Sequence, residues 1–227
     1  MKLWDKNTTT DEMISNFTVG DDRELDLALA GFDALASIAH VSMLGKVGLL
    51  SADETQAIKT ELIEIYHSSK AKKFIIDPES EDVHTQIEVL LTNRLGETGK
   101  KVHSGRSRND QVLVALKLYF RDEIEQLVQR SKTLFDTLSD LSHQHRNVLM
   151  PGYTHMQVAM VSSFGLWFGA YAEALADDLR SLQAAFQLAN LNPLGSAAGY
   201  GSSFPINRQR TTDLLGFDNL NYNVVYA

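Results

Sequence analysis

Between Arg106 and Met150 the chain contains neither glycine nor proline. At about 1.5 Å of rise per residue, one uninterrupted helix over this stretch would be roughly 60 Å long. Its start is marked by Ser107 followed three residues later by Asp110, a capping-box variant with the acid placed to suit the helix dipole. Arg106, Arg108 and Asn109 stand at the same end. Two guanidinium groups, an amide and the free N–H groups of a first turn suit an anion, a carboxylate or a phosphate. The plainer alternative is a well-capped surface helix with solvated arginines.

The rest of the chain punctuates itself into helices. Residues 1 to about 20 read as a polar, threonine-rich irregular arm. From Asp22 onward, Leu25, Leu29, Phe32, Ala36, Ala39 and Met43 recur at alternating steps of four and three, one apolar stripe that Gly45 and Gly48 close. Ser51-Ala52-Asp53-Glu54 is a capping box, and Ile58, Leu62 and Ile65 give the helix behind it a buried face. A third helix carries Val83, Ile87, Leu90 and Leu91 inward and ends before Gly96. Pro151-Gly152 stops the long helix at a turn. Tyr153-Thr154-His155 leads into a further helix running to about Ala189, and Asn192-Pro193-Leu194-Gly195 breaks again. A glycine- and serine-rich loop, Ser196 to Phe204, precedes a short helix from Arg208 to Leu215. No period-2 alternation is long enough for a strand. The expected class is all-α: a small N-terminal helical domain over 1–106, then over 107–227 the start of a long central helix bundle, incomplete in this chain.

Composition narrows the partners. A formal net charge of −8 argues against a general nucleic-acid binder, and Lys70-Ala71-Lys72-Lys73 is too short to reverse that. The absence of cysteine excludes disulfides and thiolate metal sites. The start, Met1-Lys2-Leu3-Trp4-Asp5-Lys6, lacks an apolar signal-peptide core, so a cytoplasmic location is the expectation. Met156 to Ala172 is uncharged over 17 residues, at the short edge of a membrane span. Polar Gln157, Ser162 and Ser163 interrupt it, and Gly165 and Gly169 invite close helix packing. It reads as a buried bundle helix, with no membrane partner.

Three constellations carry potential chemistry. Glu64-Ile65-Tyr66-His67 and Glu81-Asp82-Val83-His84 both fit Glu-x-x-His, the di-iron spacing of four-helix bundles. Such a site needs further glutamates from two more helices, so chance matches in a glutamate-rich helical chain are the better account. Gly201-Ser202-Ser203-Phe204-Pro205 pairs two serines on a loop, but no histidine and carboxylate of a triad are assigned to it. Thr154-His155, just after Pro151-Gly152, is an acid–base candidate with a hydroxyl beside it.

Ser104-Gly105-Arg106-Ser107-Arg108-Asn109-Asp110-Gln111 and Pro151-Gly152-Tyr153-Thr154-His155-Met156-Gln157 together closely resemble the argininosuccinate lyase family, of the helical superfamily of fumarase and aspartase. Lys2-Leu3-Trp4, Glu81-Asp82-Val83-His84-Thr85, Pro193-Leu194-Gly195-Ser196 and Phe204-Pro205-Ile206-Asn207-Arg208 fall in the expected order, so the resemblance spans essentially the whole chain. It implies reversible cleavage of argininosuccinate to arginine and fumarate, with no metal or organic cofactor. It implies His155 as a proton-transfer residue, Asn109 and Thr154 as substrate-binding, Arg108 and Ser107 as positioning a carboxylate, and His84 as a secondary contributor. It also implies a homotetramer whose shared sites draw on three subunits. Two departures accompany it. Asp22 stands where the family has a substrate-contacting serine, four residues before an aspartate matched by Asp26. The family's base-bearing mobile loop is expected beyond residue 227, and Gly201-Ser202-Ser203-Phe204-Pro205 only mimics its start. The chain therefore reads as an N-terminal half, inactive and prone to self-association alone. The alternatives are a non-catalytic helical scaffold, a carboxylate-bridged metalloprotein, and a sibling lyase acting on another fumarate adduct.

Overall fold

The computed structural model describes residues 12–227. In order these form α1 (Glu12–Val19), α2 (Asp22–Leu25), a 3-10 turn (Asp26–Ala28), α3 (Ala30–Lys46), α4 (Ala52–Lys70), α5 (Val83–Leu95) and α6 (Glu97–Lys100). A second 3-10 turn (Lys101–His103) precedes α7 (Arg108–Gln144). Then come β1 (Leu149–Thr154), β2 (Gln157–Ser163), α8 (Phe164–Ala189), β3 (Leu191–Asn192), α9 (Arg208–Leu215) and β4 (Asn219–Leu220). Helices dominate, as expected. The arm expected over residues 1 to about 20 is helical from Glu12 to Val19, and its first eleven residues lie outside the described ones.

Local chemistry sets the helix ends. Both halves of the Ser51 capping box form: the Glu54 N–H donates to Ser51 Oγ at 3.2 Å, and the Ser51 N–H to Glu54 Oε2 at 3.0 Å. Asp82 caps α5 by accepting from the Thr85 N–H at 2.6 Å, and Gly96 ends that helix at a positive φ. Two compact units result: residues up to Tyr119 with Asn190–Ala227, and Phe120–Ala189.

The first unit has a dense apolar interior. α3, α4 and α5 bury Leu44, Ile58, Leu62, Val83, Ile87 and Leu91. Those of α4 and α5 lie on the inward faces that the apolar spacing predicts, whereas Leu25, expected on the first helix's stripe, sits in the short α2 and is 67% exposed. A second cluster joins Ala36 and Ala39 of α3, Val114 and Leu118 of α7, and Leu194, Leu215 and Phe217. The returning segment is fastened by the parallel pair β3–β4, with Leu191 opposite Asn219. Lys117 Nζ adds bonds to the Leu191 carbonyl at 3.0 Å and to Asn221 Oδ1 at 2.8 Å.

The second unit departs from the sequence expectation. α7 ends at Gln144 and the chain enters an antiparallel hairpin instead of a simple turn. The segment expected to be one buried helix from Met156 is strand through Ser163 and helix only from Phe164. Val158 and Val161 are β-branched and suit a strand. Pro151 is tolerated because each strand of a two-stranded ribbon is an edge. Nor is α8 buried: among its described residues only Gly165 and Ala172 are, while Leu166 and Leu188 stay 69% and 64% exposed. The expected close approach at Gly165 does occur. A Cβ there would lie 2.5 Å from Arg146 Cα, and Ser142 Oγ donates to the Gly165 carbonyl at 2.6 Å. Among the described residues no single helix is long and apolar enough to cross a membrane.

Candidate active site

Under the loop that leads into α7 lies a buried polar cluster that starts on α3. Asp33 is fully buried, and its carboxylate accepts from His84 Nδ1 at 2.8 Å and from Gln111 Nε2 at 3.0 and 3.1 Å. Ser37 Oγ donates to the same carboxylate at 3.1 Å and accepts from Arg106 Nη1 at 3.0 Å. Burial alone would raise the Asp33 pKa; the His84 charge and hydrogen bond, with Arg106 and Gln111, hold it below the ordinary carboxylate range. His84 shifts the opposite way. Burial disfavours its charge, but Asp33 and then Asp82 raise it above the usual imidazole value. Each shift favours the charged form of its group across the 2.8 Å contact.

His40, one turn beyond Ser37, is driven down to about 3, by burial first and then by the Arg106 charge. It is therefore neutral, and its Nε2 bonds the Ser104 carbonyl at 2.9 Å. A carbonyl only accepts, so Nε2 carries the proton. The loop holding Gly105 and Arg106 is thus anchored from below by α3.

The residues singled out from the sequence fall into two groups. Arg108 is half-buried, and its Nη1 donates to both oxygens of Asp82 at 2.7 Å and to Thr85 Oγ1 at 3.1 Å. The Asp82 carboxyl is held low against burial by the Thr85 N–H and the Arg108 charge. Arg106 is not the solvated helix-end cation that its position allows; it is buried, held from Ser37. Ser107 Oγ accepts from the backbone N–H and side-chain Nδ2 of Asn109, each at 3.3 Å, and the Asp110 carboxylate takes the Ser107 N–H at 2.8 Å. The carboxylate half of the expected capping-box variant therefore forms, while Ser107 Oγ takes the Asn109 N–H in place of that of Asp110. Asn109 is exposed above it.

Ser107, Arg108, Asn109 and His84 thus lie together where α5 and α7 begin. Thr154 and His155 belong to the second unit, at the tip of the β1–β2 hairpin. Thr154 pairs with Gln157, leaving His155 and Met156 as a two-residue turn at φ +47° and +64°. That is the sign pattern of a type I′ turn, which favours Asn-Gly. His155 is exposed, and strain is stored in the residue that follows it.

Asp33 is absent from the sequence reading, and Asp82 and Gln111 enter it only as members of motifs, with no role assigned. A signal existed for the first: Asp33, Ser37 and His40 recur at steps of four and three along a helix otherwise built around an apolar stripe. Such an inward polar row has to be bonded to something. Both Glu-x-x-His matches have other partners, His84 with Asp33 and Glu64 with Arg94 at 3.3 Å. Among the described residues no group of three or more His, Asp or Glu side chains is arranged to hold a metal ion.

Comparison with known proteins places this arrangement. The family model described as Lyase matches residues 3–224. The argininosuccinate lyase of Parabacteroides distasonis is 60% identical over 226 residues, covering 100% of this chain and 51% of the relative. That of Thermotoga neapolitana is 41% identical, covering 100% of the chain and 57% of the relative. Among solved structures, EDDS lyase in complex with formate superposes with a TM-score of 0.77 at 27% identity, over 96% of this chain and 43% of that one. A fumarate lyase (δ-crystallin) from Brucella melitensis superposes with a TM-score of 0.79 at 19% identity, over 93% and 52%, a likeness of fold. The chain spans about half the length of the curated relatives it matches. Family model, relatives and helical architecture agree: the chain belongs to the lyase family.

Proposed function

We propose that this chain supplies part of the active site of an argininosuccinate lyase, which cleaves argininosuccinate reversibly to arginine and fumarate. The observation that carries the reading is the start of α7. Asn109 stands exposed over a first turn fixed by Ser107 and Asp110, beside an Arg108 braced by Asp82. Relatives 58–60% identical over this whole region carry the argininosuccinate lyase name.

In this reading a base takes the proton from the carbon next to a substrate carboxylate. The freed electron pair spreads onto that carboxylate, giving an aci-carboxylate, and then forms the fumarate double bond. The C–N bond breaks, and its electrons leave with the guanidinium nitrogen, which an acid protonates. Charge builds on the carboxylate, where preorganised donors stabilise it most. Ser107 and Arg108 position that carboxylate, Asn109 and Thr154 hold the substrate, and His155 moves a proton. His84, charged against Asp33, contributes from behind. The reaction needs no resident cofactor. A cytoplasmic homotetramer sharing its sites, and a division into 1–106 and a central bundle over 107–227, complete the proposal.

The test follows fumarate release from argininosuccinate by the chain alone and with the C-terminal half of the Parabacteroides distasonis relative. Turnover only in the mixture, abolished by His155→Asn and sharply reduced by Asn109→Ala, is expected. Turnover by the chain alone would put the base within these residues and make Ser202 and Ser203 the suspects. No turnover in the mixture, with helix content and assembly retained, would favour a scaffold. Turnover of aspartate, malate or adenylosuccinate in place of argininosuccinate would favour a sibling lyase.

A further inference from the structure

Asp110 does more than cap α7. It is fully buried, and while one oxygen takes the Ser107 N–H, the other, Oδ2, accepts from Gly195 N at 2.8 Å and Ala197 N at 2.9 Å. Three main-chain donors thus converge on one carboxylate across a large sequence separation. The backbone that presents two of them is unusual. Gly195 has φ +91° and Ala197 φ +53°, with glycines at +97° and +75° following at 199 and 201. Left-handed residues in a tight turn aim successive N–H groups into one concavity, a main-chain nest that takes an anion. A side chain at Gly195 would be strained at this φ, and its Cβ would lie 2.7 Å from Arg208 Cγ, which would have to shift.

We infer that the Gly195–Ala197 turn is an anion nest occupied by the Asp110 carboxylate, and that Asp110 is thereby a positioning residue for Ser107 and Asn109. One carboxylate grips both the first turn of α7 and the 195–197 turn, so the two are held as one piece. The placement of Asn109 then depends on the nest being filled. A carboxylate suits this role as an amide does not. Both of its oxygens only accept, whereas asparagine turns one arm into a donor facing an N–H. The nest follows from the geometry; its bearing on substrate rests on the lyase reading above.

The experiment is amide hydrogen exchange on the 227-residue chain carrying Asp110→Ala, with Asp110→Asn as the milder variant should the first fail to fold. Exchange at Gly195 and Ala197 is expected to speed up by about tenfold or more, the scale of losing a hydrogen bond to a charged group. The amides of Val41 to Leu44 in α3 keep their protection. Added formate, a free carboxylate of the right size, restores protection at Gly195 and Ala197 in Asp110→Ala. A merely structural role would not give that rescue. Unchanged exchange at both positions, acceleration spread evenly through α3, or failure of formate to restore protection would each overturn the inference. In the complemented enzyme Asp110→Ala raises KM for argininosuccinate, and formate partly reverses the rise. Wild-type turnover of a different fumarate adduct in place of argininosuccinate would overturn the argininosuccinate reading yet leave the exchange result standing.

Discussion

The two units of this chain solve the burial problem in opposite ways. In the first, the apolar faces of α3, α4 and α5 are covered, and a charged cluster is sealed inside, with the Asp33 carboxylate hydrogen-bonded while Arg106 Nε and Nη2 and Gln111 Oε1 are buried without a partner. In the second, Ala172 is the only buried hydrophobic side chain among the described residues, and Trp167, Tyr171, Leu134 and Val161 stand 45–80% exposed. The α7–α8 groove lined by Ile124, Val128, Leu179, Leu182 and Phe186 has a volume of about 650 Å³. Asp122, Glu125, Gln126, Gln129 and Gln183 also line it, so the exposed apolar side chains are set among polar ones. A covered interior and an exposed apolar surface are thus encoded in one chain. What separates them is coverage.

Four experiments sharpen or break that contrast. The largest effect is expected at the charged cluster. Asp33→Ala strands His84 and Gln111 inside the first unit, and thermal or urea unfolding is expected to show a loss of about 3–5 kcal/mol. A loss under about 1 kcal/mol would mean that the cluster is not sealed. Next, Leu62→Ala in the first unit costs about 2–5 kcal/mol, whereas Leu188→Ala in the second stays within about 0.5 kcal/mol. By light scattering the chain self-associates, and Leu188→Ala with Trp167→Gln reduces the associated fraction. A monodisperse monomer of the unaltered chain would refute self-association through that surface.

The third experiment is a pH series. His84 is raised by Asp33, so its contribution is fully present below the unfolded value near 6.5 and is lost as pH climbs through its higher folded value. Asp33, lowered, contributes above its unfolded value of 3.8 and loses that as pH falls through its folded one. His40 works against both on the acid side. Neutral in the fold down to about 3, it costs stability progressively as pH drops below 6.5. His84→Gln is therefore expected to flatten the alkaline limb of the stability curve and His40→Gln the acid limb. The same change from both variants would undo the assignment. The smallest effect is at the hairpin. Met156→Gly removes a side chain from φ +64° and gains up to about 1 kcal/mol of hairpin stability, read as slower amide exchange in β1 and β2.

Much of this was legible without coordinates. The Ser51 capping box, the inward faces of α4 and α5, the stop at Gly96 and the paired Ser107 and Asp110 are local devices. They depend on residues within one turn of each other, and each took its expected form, Ser107 and Asp110 through the carboxylate half alone. The hairpin was not legible, because Pro151-Gly152 is equally a turn signal, and a charge-free stretch suits strand and helix alike until its neighbours are known. Asp33 was missed for a related reason. Its partners His84 and Gln111 lie 51 and 78 residues away, and no local rule couples them. Among the candidate residues, sequence marked the exposed Asn109 and His155 better than the buried groups that brace the start of α7 from within.

The discontinuity of the first unit has a consequence for how the chain is made. Val114 and Leu118 find their cover in Leu194, Leu215 and Phe217, and Lys117 bonds Leu191 and Asn221, all across the intervening residues 120–189. During synthesis at about 5–20 residues per second, the ribosome needs roughly 5–20 s to pass from Tyr119 to Leu220. Through that interval the nascent first unit waits with one apolar flank open while the second segment emerges. The order of translation thus leaves the Val114–Leu118 flank uncovered until the returning segment has been made.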